Sequence, residues 1–87
     1  MLVKDSAEHL PSMERLRWRC RRGLLELDLL FEAYLEKGYA ASSDQEKAEF
    51  VRLLEYQDQS LQEWLLGKEP PEDESLNHII QRIRDSI

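Results

Sequence analysis

Cysteine occurs once in this chain of 87 residues, at Cys20, and glycine and proline three times each. One cysteine makes neither an intramolecular disulfide nor a zinc site, so a reducing compartment is expected. So few glycines and prolines leave few points where a helix would break. No segment alternates apolar and polar residues with a period of two, so helices are the default and no strand is expected. No apolar run approaches the roughly 18 residues that a membrane span needs. The N-terminus lacks the apolar core of a signal peptide, and Asp5, Glu8 and Glu14 are out of place in a mitochondrial presequence. The expected location is the bacterial cytoplasm, without insertion into a membrane.

Catalytic patterns are also lacking. There is no Gly-rich phosphate loop, no nucleophile elbow and no His-x-x-x-His pair. The two histidines, His9 and His78, stand in no motif. Glu72-Asp73-Glu74 is an acidic run, but adjacent residues at a helix start point in different directions. It reads as favourable charge at a helix N-terminus rather than as a metal site. Cys20 lies among arginines that would tend to lower its pKa. The plainer reading of it is a small buried thiol without a base or an orienting partner. These absences favour a binding protein over an enzyme, with no metal and no cofactor of its own.

What is present is charge and apolar periodicity. The chain is 41% hydrophobic and 34% charged, a soluble globular composition for one modest core. Net charge is −6, which disfavours broad nucleic-acid binding. The charge is unevenly spread: residues 1–22 sum to +3, so the remainder carries −9. A basic end on an acidic body points to an anion or an acidic partner surface.

Residues 1–11 have no period and are expected to form a loose arm, leaving 12–87 as one helical domain. Ser12 is placed to cap a short helix from about Met13 to Arg21. Gly23 should bend the chain. A second helix then runs to about Lys37 on the stripe Leu27, Leu30, Phe31, Tyr34 and Leu35, with Leu24 extending it backwards and Gly38 ending it. After a loop at 39–43, Ser43-Asp44-Gln45-Glu46 reads as a capping box for a third helix carrying Phe50, Val51, Leu53 and Leu54. Asp58 is expected to cap a fourth, short helix with Leu61, Trp64 and Leu65, ended by Gly67. Pro70-Pro71 gives an extended link. Asp73 then caps a last helix with Leu76, Ile79, Ile80, Ile83 and Ile87. The expected fold is all-α, a compact antiparallel bundle of five helices in a single domain. Trp18 and Trp64 are both expected in its core.

The segment Arg21-Arg22-Gly23-Leu24-Leu25-Glu26 draws the functional reading. If the second helix begins at or before Arg22, then Arg22 and Glu26 stand at i, i+4 and can pair. The plain reading is a surface ion pair worth under about 1 kcal/mol. The sharper reading is an arginine fork held by a carboxylate beside a glycine, which allows positive φ or close approach of another surface.

The run from Trp18 to Asp28 resembles the signature of the SdhE assembly factors of succinate dehydrogenase, whose core is Arg-Gly-x-x-Glu, here Arg22-Gly23-x-x-Glu26. The resemblance continues through Phe31, Tyr39, Ser43-Asp44-x-Glu46-Lys47, Phe50, Leu53-Leu54-Glu55, Asp58, Leu61, Trp64-Leu65 and Gly67. It covers about residues 15–67. It implies a five-helix bundle and a factor that promotes covalent attachment of FAD to a histidine of the flavoprotein subunit of succinate dehydrogenase and, in bacteria, of fumarate reductase. The flavin belongs to that client, and the assembly factor acts as a monomer. The resemblance carries partner-binding roles to Arg22, Gly23 and Glu26, to Arg15 as a further basic position, and to Arg21 and Asp28. Glu26 would orient Arg22 towards the client near its flavin site. The first 14 residues are somewhat longer than in compact bacterial members, and the C-terminal helix matches the family in pattern only. Apart from the resemblance, a small helical antitoxin-like or regulatory protein-binding module stays open as the alternative.

Overall fold

The computed structural model describes residues 10–86. The expected arm lies outside the described residues except for its last two positions, and Ile87 lies outside them too. Among the described residues five α-helices follow one another: α1 Met13–Arg19, α2 Leu25–Lys37, α3 Asp44–Leu53, α4 Asp58–Leu65 and α5 Asn77–Arg84. A 3-10 turn, Glu74–Leu76, leads into α5, and there is no strand among the described residues. The all-α expectation is met.

Local chemistry sets most of the boundaries. The Ser12 hydroxyl accepts from the Arg15 amide at 3.2 Å and starts α1. α1 stops at Arg19, two residues short of the expected end, because the Arg21 amide tightens onto the Trp18 carbonyl at 3.1 Å. The capping box on α3 is complete: the Glu46 amide donates to Ser43 Oγ at 3.1 Å, and the Ser43 amide to Glu46 Oε1 at 2.8 Å. Gly38 ends α2, but at φ −119 rather than in the left-handed region. Its lack of a side chain serves space, since a Cβ there would lie 2.8 Å from the Tyr34 ring. Asp58 does not cap α4. Gln57 holds that position without a side-chain bond, and Asp58 is the first helical residue, with its carboxylate turned to Arg22. Asp73 caps the 3-10 turn, accepting from the Ser75 amide at 3.0 Å, rather than α5 itself.

α5 packs against α2, α3 and α4, and α2 also meets α4. Every residue of the α2 stripe is buried, as are Leu61, Trp64 and Leu65 of α4 and Ile79, Ile80 and Ile83 of α5. An aromatic group fills the centre. Tyr34 lies 4.8 Å from Phe50, Tyr39 5.8 Å from Phe50 and Phe31 6.0 Å from Phe50, ring centre to ring centre. Among the described residues the one buried polar side chain is Ser42, whose hydroxyl donates to the Gly38 carbonyl at 2.8 Å. The Tyr34 hydroxyl, 2.6 Å from Ser42 Oγ, is therefore the donor in their shared bond. The result is a bundle in which α5 packs against α2, α3 and α4, with the α1–α2 junction outside that packing.

Candidate functional site

Arg19 ends α1 and Leu25 begins α2, so the Arg-Gly-x-x-Glu segment straddles a break. Gly23 has φ +80, the only positive φ among the described residues. A side chain would be strained there, although a Cβ would meet no atom within 4 Å. Gly23 is therefore needed for its backbone, and the space over it is open.

The break also undoes the expected pairing of Arg22 with Glu26. An i, i+4 pair needs one continuous helix, and Arg22 lies before the helix that holds Glu26. The Arg22 guanidinium instead turns inward. Nε donates to Asp58 Oδ1 at 2.7 Å, Nη1 to the carbonyls of Arg19 and Leu54 at 2.8 and 3.1 Å, and Nη2 to the Tyr56 carbonyl at 2.9 Å. The side chain is only 16% exposed. Glu26 is exposed and forms no ion pair among the described residues.

Asp28 secures the loop from the other side. The Arg22 amide donates to its Oδ1 at 2.9 Å and the Gly23 amide to its Oδ2 at 3.3 Å. Leu24, the N-cap of α2, offers no side-chain bond, so a carboxylate in the first turn reaches back to the two amides ahead of the helix. Arg15 and Arg21 are exposed on the α1 side. The Arg21 guanidinium lies 6.0 Å from the centre of the Trp18 ring.

Trp18 is 71% exposed, which overturns its expected place in the core. It stands two residues from both Leu16, the buried residue of α1, and Cys20, its buried C-cap, and hence on the opposite side of the helix. Leu25 and Leu29 on α2 are 74% and 50% exposed. They share a groove of about 300 Å³ with Arg17, Arg21 and Glu32. Leu29 also borders a second depression, of about 450 Å³, lined by Glu26, Leu66 and Arg84. The exposed leucines thus join the α1 arginines to Glu26 across one side of the molecule.

Cys20 lies on the floor of the first groove, and burial pushes its thiol up to about 12 against the opposing pull of Arg22 and Arg19. A thiol held protonated is a poor nucleophile. No group of three or more His, Cys, Asp or Glu side chains among the described residues is placed to hold a metal ion.

A family model described as the flavinator of succinate dehydrogenase matches residues 14–87. The chain belongs to this family. Its relatives include the FAD assembly factor SdhE of Idiomarina loihiensis, 44% identical over 91% of this chain and 88% of the relative. Those of Shewanella oneidensis and Coxiella burnetii are each 41% identical. They cover 86% and 82% of this chain and 92% and 87% of the relative, respectively. No solved structure matches. Membership of the flavinator family decides between the open alternatives, against an antitoxin-like module. No helix among the described residues is long and apolar enough to cross a membrane.

Proposed function

We propose that the chain is an FAD assembly factor: it binds the flavoprotein subunit of succinate dehydrogenase and promotes covalent attachment of FAD to it. The observation that carries this reading is the exposed Gly23–Glu26 segment. It presents an open backbone at φ +80, a carboxylate with no ion pair among the described residues and the exposed Leu25, at the end of a loop fixed from both sides. Such a surface suits docking by close approach. Holding a client in one arrangement can lower the barrier of a reaction within that client by several kcal/mol, because alignment is no longer left to chance. The flavin is the client's and supplies the reactive carbon. The residues of this chain bind and orient, and the chain is not itself an enzyme.

Arg22 takes a different role from the one expected for it. With four of its N–H groups engaged inside the fold, it supports the loop, and Glu26 is the motif side chain free to reach the client. Arg15, Arg21 and the exposed face of Trp18 extend the contact along α1, towards carboxylates of the partner. We assign the chain to the cytoplasm, as a monomer until it meets its client, with the fumarate reductase flavoprotein as a second client.

The test is Glu26→Ala, with covalent flavin in the denatured client subunit read by fluorescence. Loss of a contact that aligns the reaction should reduce the initial rate of flavin attachment about tenfold, equivalent to about 1.4 kcal/mol. Equal rates with the variant and the parent chain would overturn the reading.

A further inference from the structure

The Arg22–Gly23 peptide is held at two points that come from different parts of the chain. Its backbone is fixed by Asp28 within α2. Its side chain crosses to the corner between α3 and α4, where the acceptors are the carbonyls of Leu54 and Tyr56 and the carboxylate of Asp58. Asp58 is the one charged acceptor in that set, 2.7 Å from Nε. A guanidinium this little exposed keeps its place only while its charge is answered and its donors are satisfied. Four of its five N–H groups are already engaged, which leaves one for any other molecule, too few for a bidentate grip on a carboxylate.

We propose that Asp58 is a positioning residue for the docking loop: through Arg22 it fixes how Gly23 and Glu26 face the client, without touching the client itself. The inference rests on the docking role given above to Gly23 and Glu26. Its physical content is a coupling across the bundle. The α3–α4 corner, 36 residues along the chain from Arg22, governs the loop between α1 and α2. Removing the carboxylate leaves the guanidinium with backbone carbonyls alone. It then gains more from water than from the corner, and the loop loses one of its two anchors.

A double-mutant cycle on the full chain tests this, with Asp58→Ala, Arg22→Ala and the pair titrated calorimetrically against the client flavoprotein. A hydrogen-bonded charge pair of this kind supports about a tenfold loss of affinity for Asp58→Ala. Arg22→Ala should lose about as much, and the double variant no more than about threefold beyond either single one, because both remove the same link. Asp58→Asn keeps the Oδ1 acceptor but not the charge, and should lose less than Asp58→Ala, about threefold. The amide signal of Gly23 in a nitrogen–proton correlation spectrum should move clearly in Asp58→Ala and much less in Asp58→Asn. A general loss of stability from an altered α4 start would not produce that contrast. Unchanged or tighter binding by Asp58→Ala would overturn the proposal, since the loop would then meet the client equally well without Asp58. Losses that add in the double variant would overturn it as well. If Asp58→Ala does not fold, Asp58→Glu decides. It keeps the charge but lengthens the reach by one methylene, so a shifted Gly23 signal with weaker binding supports the coupling, and no change in either refutes it. Glu26→Ala in the same titration separates the two ideas. If it binds as the parent does, the docking role itself fails. If it weakens binding while Asp58→Ala does not, only the positioning role fails.

Discussion

Gly23 and Glu26 sit three residues apart in one motif, yet their loss should be felt in different measurements. Gly23 is required by its φ of +80 and not by crowding. Gly23→Ala should therefore destabilise the fold by about 1–2 kcal/mol, the cost of a side chain in the left-handed region. Gly23→Asn should cost less, because asparagine tolerates that region better. Denaturant titration checks both, and equal stability of the alanine variant and the parent would show that the loop relaxes to another conformation. Glu26, exposed and without an ion pair among the described residues, has no comparable part in stability, and its removal belongs to the functional assay above. The exposure of Trp18 was legible in the sequence, as its spacing from Leu16 and Cys20 already set it off the buried face. The general rule that aromatic residues pack misled because α1 buries only the face that carries Leu16 and leaves the opposite one to solvent. Likewise Leu25 and Leu29, one turn apart, lie opposite the α2 stripe, a second apolar doublet that core reasoning passes over.

At the scale of the element, sequence and structure agree at the starts of α1 and α3, where a serine hydroxyl caps the helix. Ser43 and Glu46 close the α3 box with bonds of 3.1 and 2.8 Å. Ser43→Ala should cost about 1 kcal/mol, the usual worth of a capping hydroxyl, with its effect greatest at the start of α3. Hydrogen exchange at the Glu46 amide reads this directly, and unchanged protection there would show that water replaces the hydroxyl without loss. α1 and α4 were harder to delimit. The end of α1 depends on a 3-10 tightening that propensity does not encode, and the start of α4 on a competition for Asp58 between its own helix and a guanidinium 36 residues away. A capping side chain is recognised from neighbours in sequence, whereas the partner that drew Asp58 away is a neighbour only in space.

For the whole molecule, titration should give a plateau of stability bounded on both sides. The Glu46 carboxyl is held below its ordinary 4.5, first by the Ser43 amide and then by His78, and Asp73 below 3.8 by Ser75. A carboxylate with a lowered folded pKa contributes stability above its unfolded value, lost as pH falls through the folded one. The acid limb should thus begin below about pH 4.5. Burial raises the Cys20 thiol from 9.0 to about 12 and the Tyr34 and Tyr39 phenols above 10.0. These groups stay neutral in the fold while the unfolded chain ionises them, so stability should decline as pH rises above about 9. Thermal melts across pH 3 to 11 check the profile. Cys20→Ser should move the start of the alkaline limb towards pH 10, where the tyrosines ionise. An alkaline limb that starts at the same pH with and without the thiol would show that Cys20 does not contribute to it.

The sequence by itself determined the helical class, the number of helices and nearly all of the core, because one apolar stripe per helix and a few capping residues are short-range signals. It also marked the Arg-Gly-x-x-Glu segment and the need for a glycine at a bend. Only the tertiary structure decided which members of that segment face outward. Arg22 is a surface charge by spacing and an internal tie by geometry, since the three carbonyls and the carboxylate that hold it converge from α1 and from the α3–α4 corner. A guanidinium takes the place where most of its donors are satisfied, and that place exists only once the bundle has closed.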